Sequence, residues 1–307
     1  MLARLRPHPH RGDVVAAGVV VLTLFTILTE ARFADQWADG VRFVFVAAIA
    51  ALVVAMAVQA DAGDGVPRPY ESILYVASFL HVTLALGELG NLLGADGGAG
   101  EVVWVGTLLV LYAAWFARRR NSAIMTLLAA ISGVVVVLAF VDWVFAPDGA
   151  TAFRWMLLIC ALGLTLGAVY ERDAHRRHAV SLADAAGLSI LALGATLVLE
   201  QVVSLFGALL PSGFGAPGPQ GGPFGWELVL FAFGCGLIAY GCVDRERVPA
   251  FLGVLVLATF LTQTGIGDSL LGWPVVLLVL AGALLAIGLR PRRELPPEPP
   301  VPTIPHA

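Results

Sequence analysis

The residues best able to do chemistry in this chain gather in one apolar stretch. From Ser78 to Gly94 the sequence reads SFLHVTLALGELGNLLG. Ser78, His81, Glu88 and Asn91 are spaced three, seven and three apart. At about 100° per residue they fall on one stripe of a helix. Glu71 and Tyr75 extend that stripe toward the start of the segment. An imidazole and a carboxylate on one intramembrane stripe form the layout of a proton relay or cation path. The same residues could instead act as interhelical glue, at about 0.6 kcal/mol per hydrogen bond. Gly87, Gly90 and Gly94 fit that second reading, because small residues let helices approach.

A second carboxylate stands in a long apolar run. Glu200, followed by Gln201, precedes Pro211 by more than two helical turns. A helix continuing to that proline places Glu200 about 15 Å inside its end. Burial without a cationic partner favours the neutral, protonated form. Glu88 and Glu200 are thus the expected titrating groups, with His81 as relay. Asn91 and Gln201 are expected to bind solute or orient the acids.

Further polar groups sit where other apolar runs end. Glu30, Asp142 and Gln263, together with Asp268, are candidates for an outer vestibule. Glu30, Glu88, Asp142, Glu200 and Gln263 recur at intervals of about 58 residues. That interval predicts a repeated helical hairpin, a pattern known among transporters.

These side chains need a membrane around them. The chain has 307 residues, of which 59% are hydrophobic and 13% charged. Its mean hydropathy is +0.87. Soluble domains are about 25% charged, so a water-exposed surface cannot be built from this composition. A span needs about 20 apolar residues. Ten candidates lie near 14–29, 41–60, 71–93, 101–117, 122–145, 152–170, 180–209, 226–243, 248–264 and 270–289. The runs are too long and too continuously apolar for barrel strands. The fold class expected is an all-α polytopic transmembrane bundle.

Orientation follows from arginine, since the chain has no lysine. With both termini cytoplasmic, all but Arg32, Arg42 and Arg154 of the 18 basic residues fall on the inner side, as the positive-inside rule requires. The first run, with its basic start, reads as a retained helix rather than a cleaved signal. The expected organisation is a short cytoplasmic segment (1–13), one transmembrane domain (14–289) and a proline-rich disordered tail (290–307). The Gly- and Pro-rich stretch Pro211–Gly225 excludes regular structure. An Ala-, Val- and Leu-rich chain that uses only arginine suits the inner membrane of a high-GC bacterium.

Motifs for soluble chemistry are absent. There is no phosphate-binding Gly-rich loop, no His-Glu-x-x-His and no Gly-x-Ser-x-Gly. No His or Cys cluster has metal-ligand spacing, and no cofactor site is expected. Cys160, Cys235 and Cys242 read as small buried residues. Gly163 and Gly167 read as a packing pair. Trp104, Trp115, Trp143, Trp155 and Trp226 read as interfacial aromatics. No nucleic-acid surface is expected, and no enzymatic activity. The expected function is a small-solute or ion permease, proton-coupled through the intramembrane acids. The alternative is a non-transporting scaffold or accessory subunit that holds a protein partner through its tail.

Overall fold

The computed structural model describes residues 12–33, 36–60, 67–95, 97–209 and 224–266. Among the described residues every regular element is a helix: α1 (Gly12–Phe33), α2 (Asp39–Gln59), α3 (Pro69–Leu92), α4 (Ala99–Arg120), α5 (Ala123–Phe145), α6 (Thr151–Glu171), α7 (Arg176–Leu209), α8 (Phe224–Asp244) and α9 (Arg247–Ile266). Each contains a stretch long and apolar enough to cross a bilayer. The chain is therefore a polytopic integral membrane protein. These helices fall on the first nine spans expected from the sequence. The tenth span, the tail, residues 1–11, Asp268 and nearly all of Pro211–Gly225 lie outside the described residues.

The ends of α3 show how local sequence sets the boundaries. Pro69 occupies the first helical position, where no backbone donor is lost. The Arg68 N–H donates to Glu71 Oε2 at 3.0 Å and closes the first turn. At the other end Gly94 takes a left-handed φ of 79°. The Ala95 N–H then reaches the Gly90 carbonyl and the Gly94 N–H reaches that of Asn91, both at 3.0 Å. That pairing satisfies carbonyls the helix would leave open. The α4–α5 corner is shorter still, and Asn121 makes it with φ 48°.

Packing divides the bundle into two cores. One is built from α1 to α4, with Met125 of α5 at its edge. The other is built from α6 to α9. Helix α5 packs against α4, α6 and α7 and more lightly against α3, and Met125 is its one buried residue. Helices α3 and α7 are the centre of each core. Buried residues make up 44% and 56% of their spanning windows, against 6% to 33% for the other helices.

The two cores are built on one plan. Adding 112 to the residue number carries Asp39–Gln59 onto Thr151–Glu171, end for end. It carries α1 onto α5 to within one residue and places α3 inside α7. The packed pairs repeat as well: α1 with α3, α2 with α3, α3 with α4 and α4 with α5 become α5 with α7, α6 with α7, α7 with α8 and α8 with α9. The repeated unit is thus four helices, not the single hairpin expected from the 58-residue interval. Alternate hairpins differ because only the second of each pair of outgoing helices, α3 or α7, is central. An even number of helices returns the chain to the same side, so the copies are parallel.

Close crossings occur elsewhere than expected. A Cβ on Gly163 would meet nothing within 4 Å, and one on Gly167 would only touch Leu182 at 3.5 Å. The Gly-x-x-x-Gly spacing is therefore not a tight contact here. The tight contact is between α8 and α9, where a Cβ on Gly253 would lie 2.7 Å from the Gly234 carbonyl oxygen. Cys160 and Cys235 are half-buried and Cys242 is exposed, so the cysteines are not uniformly buried as their setting suggested.

Candidate functional site

Arg42 is the fourth residue of α2. Its Nη2 donates to Glu88 Oε1 at 2.6 Å, and its Nε donates to Glu30 Oε2 at 3.1 Å. The arginine side chain is 16% exposed and each carboxylate 10%. Asn91 Nδ2 adds a longer bond to Glu88 Oε2, at 3.4 Å. The last turns of α1 and α3 and the first turn of α2 thus meet on one charged cluster. Two carboxylates face one guanidinium, so the ionised cluster carries a surplus negative charge.

Below this cluster α3 buries a file of polar side chains. Glu71, Tyr75, Ser78 and His81 have no solvent exposure at all. His81 Nδ1 lies 2.8 Å from the Ala77 carbonyl, which can only accept, so that nitrogen carries a proton. His81 Nε2 faces Thr26 Oγ1 of α1 at 3.4 Å. Tyr112 of α4 donates its hydroxyl to Ser78 Oγ at 2.9 Å, and Ser78 donates to the Tyr75 carbonyl at 2.7 Å. The Tyr75 hydroxyl and Glu71 Oε1 are buried without a hydrogen-bond partner among the described residues. Of the stripe read from the sequence, Glu71, Tyr75, Ser78, His81 and Glu88 point into the core, and Asn91 is exposed. No bond joins His81 to Glu88, which lie two turns or about 10 Å apart.

The second unit keeps the charge pair and loses the file. Arg154, the fourth residue of α6, donates from Nη2 to Glu200 Oε2. Its Nε donates to Thr196 Oγ1 at 3.0 Å. The expectation for Glu200 is corrected in both respects. It has a cationic partner, and its side chain is 68% exposed at the bundle surface. A helix position far from the end of α7 does not make a side chain buried when it faces outward. Positions 112 residues beyond Glu71, Tyr75, Ser78 and His81 hold Ala183, Gly187, Ile190 and Leu193, buried and apolar. Glu88 and Glu200 do not share a site: α5 packs against both α3 and α7 and stands between them.

The expected vestibule residues are not gathered. Glu30 is bonded to Arg42, Asp142 is exposed at the end of α5, and Gln263 is buried in α9 with 1% exposure. None of α1, α5 and α9 forms a packed pair with another. The side chain of Gln201 lies outside the described residues. Among the tryptophans, Trp226 departs from the interfacial reading. It is buried against Trp155, with ring centroids 5.0 Å apart.

At the opposite, arginine-rich end, contacts tie helices together. Arg172 donates to Asp244 Oδ1 at 2.7 Å, and this bond holds the guanidinium pKa above its ordinary value. Arg120 donates to the Val58 carbonyl. His178 Nε2 donates to Asn121 Oδ1 at 2.8 Å, leaving Nδ1 to accept from Thr126 at 2.5 Å. Arg42, Arg154, Thr26 and Tyr112 were not singled out from sequence. A signal existed: Arg42 and Arg154 are two of the three arginines on the acidic side, each 46 residues before a glutamate.

The chain matches no protein-family model, no curated protein and no solved structure.

Proposed function

We propose that this protein is a non-enzymatic permease for a small solute or ion in a bacterial inner membrane, coupled to protons through α3. The observation that carries the proposal is the buried file from Glu71 to His81, leading to Glu88. Intramembrane polar groups are costly and face a pathway or one another. At the four positions equivalent to the file α7 carries apolar residues, and its own buried polar side chains, Ser181, Asp184 and Ser189, stand at other positions.

In this reading the Glu30–Arg42–Glu88 cluster is the loading point. Arg42 balances one carboxylate, and the surplus charge accepts a proton or a small cation. Asn91 orients Glu88 at the edge of the cluster. His81 passes the proton between Glu88 and the Ser78–Tyr112 hydroxyls, with solute or water crossing the gap of two turns. Tyr75 and Glu71 extend the path to the arginine-rich end. By the positive-inside rule that end faces the cytoplasm.

The test is solute-dependent proton movement in pyranine-loaded proteoliposomes. A panel of labelled amines, amino acids, carboxylates and sugars is offered under an imposed pH gradient. A solute in the panel should move with protons in the native protein. Glu88→Gln and His81→Leu should abolish coupled flux, and Glu200→Gln should retain it. Equal loss in Glu88→Gln and Glu200→Gln would remove the special role of α3. Absence of flux for every solute would overturn the permease reading. A stoichiometric partner lost on deletion of residues 291–307 would then favour the accessory subunit.

A further inference from the structure

A cavity of about 660 Å³ opens at the arginine-rich end of the bundle, far from the Arg42 cluster. Residues of α4, α5, α6 and α7 line it. It therefore sits on the seam between the two four-helix units. Its volume falls in the range of small-molecule sites, about 300–1,000 Å³.

The wall is apolar and made of small side chains. Ala114, Ala129, Ala130 and Leu164 form the part reaching into the membrane. Elsewhere α4 and α5 carry valine and leucine, and alanines at these positions leave the space open. Ala130 is seven residues into α5, which puts the deep wall about 10 Å from the helix end.

The mouth is polar. Arg118, Asn121, Thr126, Glu171, His175 and His178 surround it. Glu171 is bonded to His175, Oε2 to Nδ1 at 2.9 Å. His178 is fixed between Asn121 and Thr126. Arg118 is exposed and makes no ion pair among the described residues. A second hollow on the same stretch of α4, with Trp115 and Arg119, continues the basic rim.

We propose that this cavity binds an amphiphile with an anionic head and an acyl chain, the head on Arg118 and the chain along the alanine wall. An apolar wall beneath a guanidinium that no carboxylate among the described residues pairs, with the nearby Glu171 held by His175, complements both parts of such a molecule. A soluble inorganic anion would leave the wall uncovered, and a neutral lipid would leave Arg118 without a counter-charge. The inference is independent of the α3 file, and its test reads binding rather than flux.

The full chain is placed in phosphatidylcholine nanodiscs and titrated with three pyrene-labelled probes: hexadecanoic acid, hexadecanol and phosphatidylglycerol. Energy transfer from tryptophan is read. At least one of the two anionic probes should bind saturably with one site, about tenfold or more tighter than the alcohol, as a charge-assisted bond implies. Saturation by the acid alone identifies a free single-chain ligand, and saturation by phosphatidylglycerol alone identifies a bilayer lipid. Ala130→Phe should remove the saturable component. Arg118→Gln, at an exposed position that leaves the core untouched, should weaken the anionic probes about tenfold and leave the alcohol unchanged. Equal binding of all three probes, or native affinity in Arg118→Gln, would overturn the proposal.

Discussion

Arg42 and Arg154 occupy the same position in two copies of one helical unit. Each is the fourth residue of its helix, and each donates to a glutamate 46 residues further along the chain. Their surroundings differ. Around Arg42 the acids of α1 and α3 converge and are buried together. Around Arg154 the α1 counterpart, Asp142, is exposed, and so is Glu200. The Arg–Glu pair is common to both copies, whereas the enclosure of a second acid on the arginine and the buried file above Glu71 belong to the first copy alone.

Removing Arg42 should therefore be severe. Arg42→Gln leaves two enclosed carboxylates without their cation, and breaking a buried pair costs about 3–5 kcal/mol. Arg154→Gln leaves only an exposed glutamate and should cost less than half of that. Thermal unfolding in detergent checks the order. The triple variant Glu30→Gln, Arg42→Gln, Glu88→Gln should recover most of the lost melting temperature, since no uncompensated charge remains.

Neutralising the acids separates function from packing. Glu88→Gln keeps the shape of the side chain and relieves the crowding of two carboxylates on one arginine. Functional groups commonly sacrifice stability, so its melting temperature should stay level or rise while coupled flux disappears. A marked fall would assign Glu88 to structure.

His81 should hold its proton on Nδ1. The Ala77 carbonyl faces that nitrogen and cannot donate, so the neutral ring leaves Nε2 bare, 3.4 Å from Thr26 Oγ1, whose own proton goes to the Leu22 carbonyl at 2.8 Å. Nitrogen-15 spectra of histidine-labelled protein read the tautomer directly. Thr26→Val removes the hydroxyl and should shift the Nε2 resonance while leaving Nδ1 in place. A protonated Nε2 in the neutral ring would contradict this geometry.

The α8–α9 crossing gives a control on packing. Gly253→Val places a side chain against the Gly234 backbone, which cannot move aside as a flexible side chain would. Overpacking of this kind costs about 1–3 kcal/mol. Gly163→Val, with open space around it, should be near neutral. Melting temperatures of the two variants decide whether close contact or mere spacing matters.

Much of the fold was legible because bilayer physics is one-dimensional. Span length and continuous apolarity fixed the helices within the described residues to a few positions. The α3 stripe was legible because helical spacing puts Ser78, His81 and Glu88 on one face whichever helix they meet. The partner of each acid was not legible. Arg42 and Arg154 look like exceptions to charge asymmetry until the helices pack. Glu200 was misjudged for a related reason: depth along a helix says nothing about which side of it faces the neighbours.

The corner at Asn121 tests how the two units are held at their seam. Asn121 ends α4 in a left-handed conformation, and its carboxamide oxygen accepts from His178 at the start of α7. One residue therefore meets a backbone demand and a contact between units. Asn121→Gly satisfies the backbone and loses the bond, a change of about 1 kcal/mol. Asn121→Ala adds a Cβ clash of about 1–2 kcal/mol in this conformation. Asn121→Val should be the worst, because a β-branched residue is a genuine outlier there. Melting temperatures falling in the order Gly, Ala, Val would show both roles. A Gly variant as stable as the native protein would leave the backbone role alone, and the bond to His178 would then contribute nothing to holding the seam.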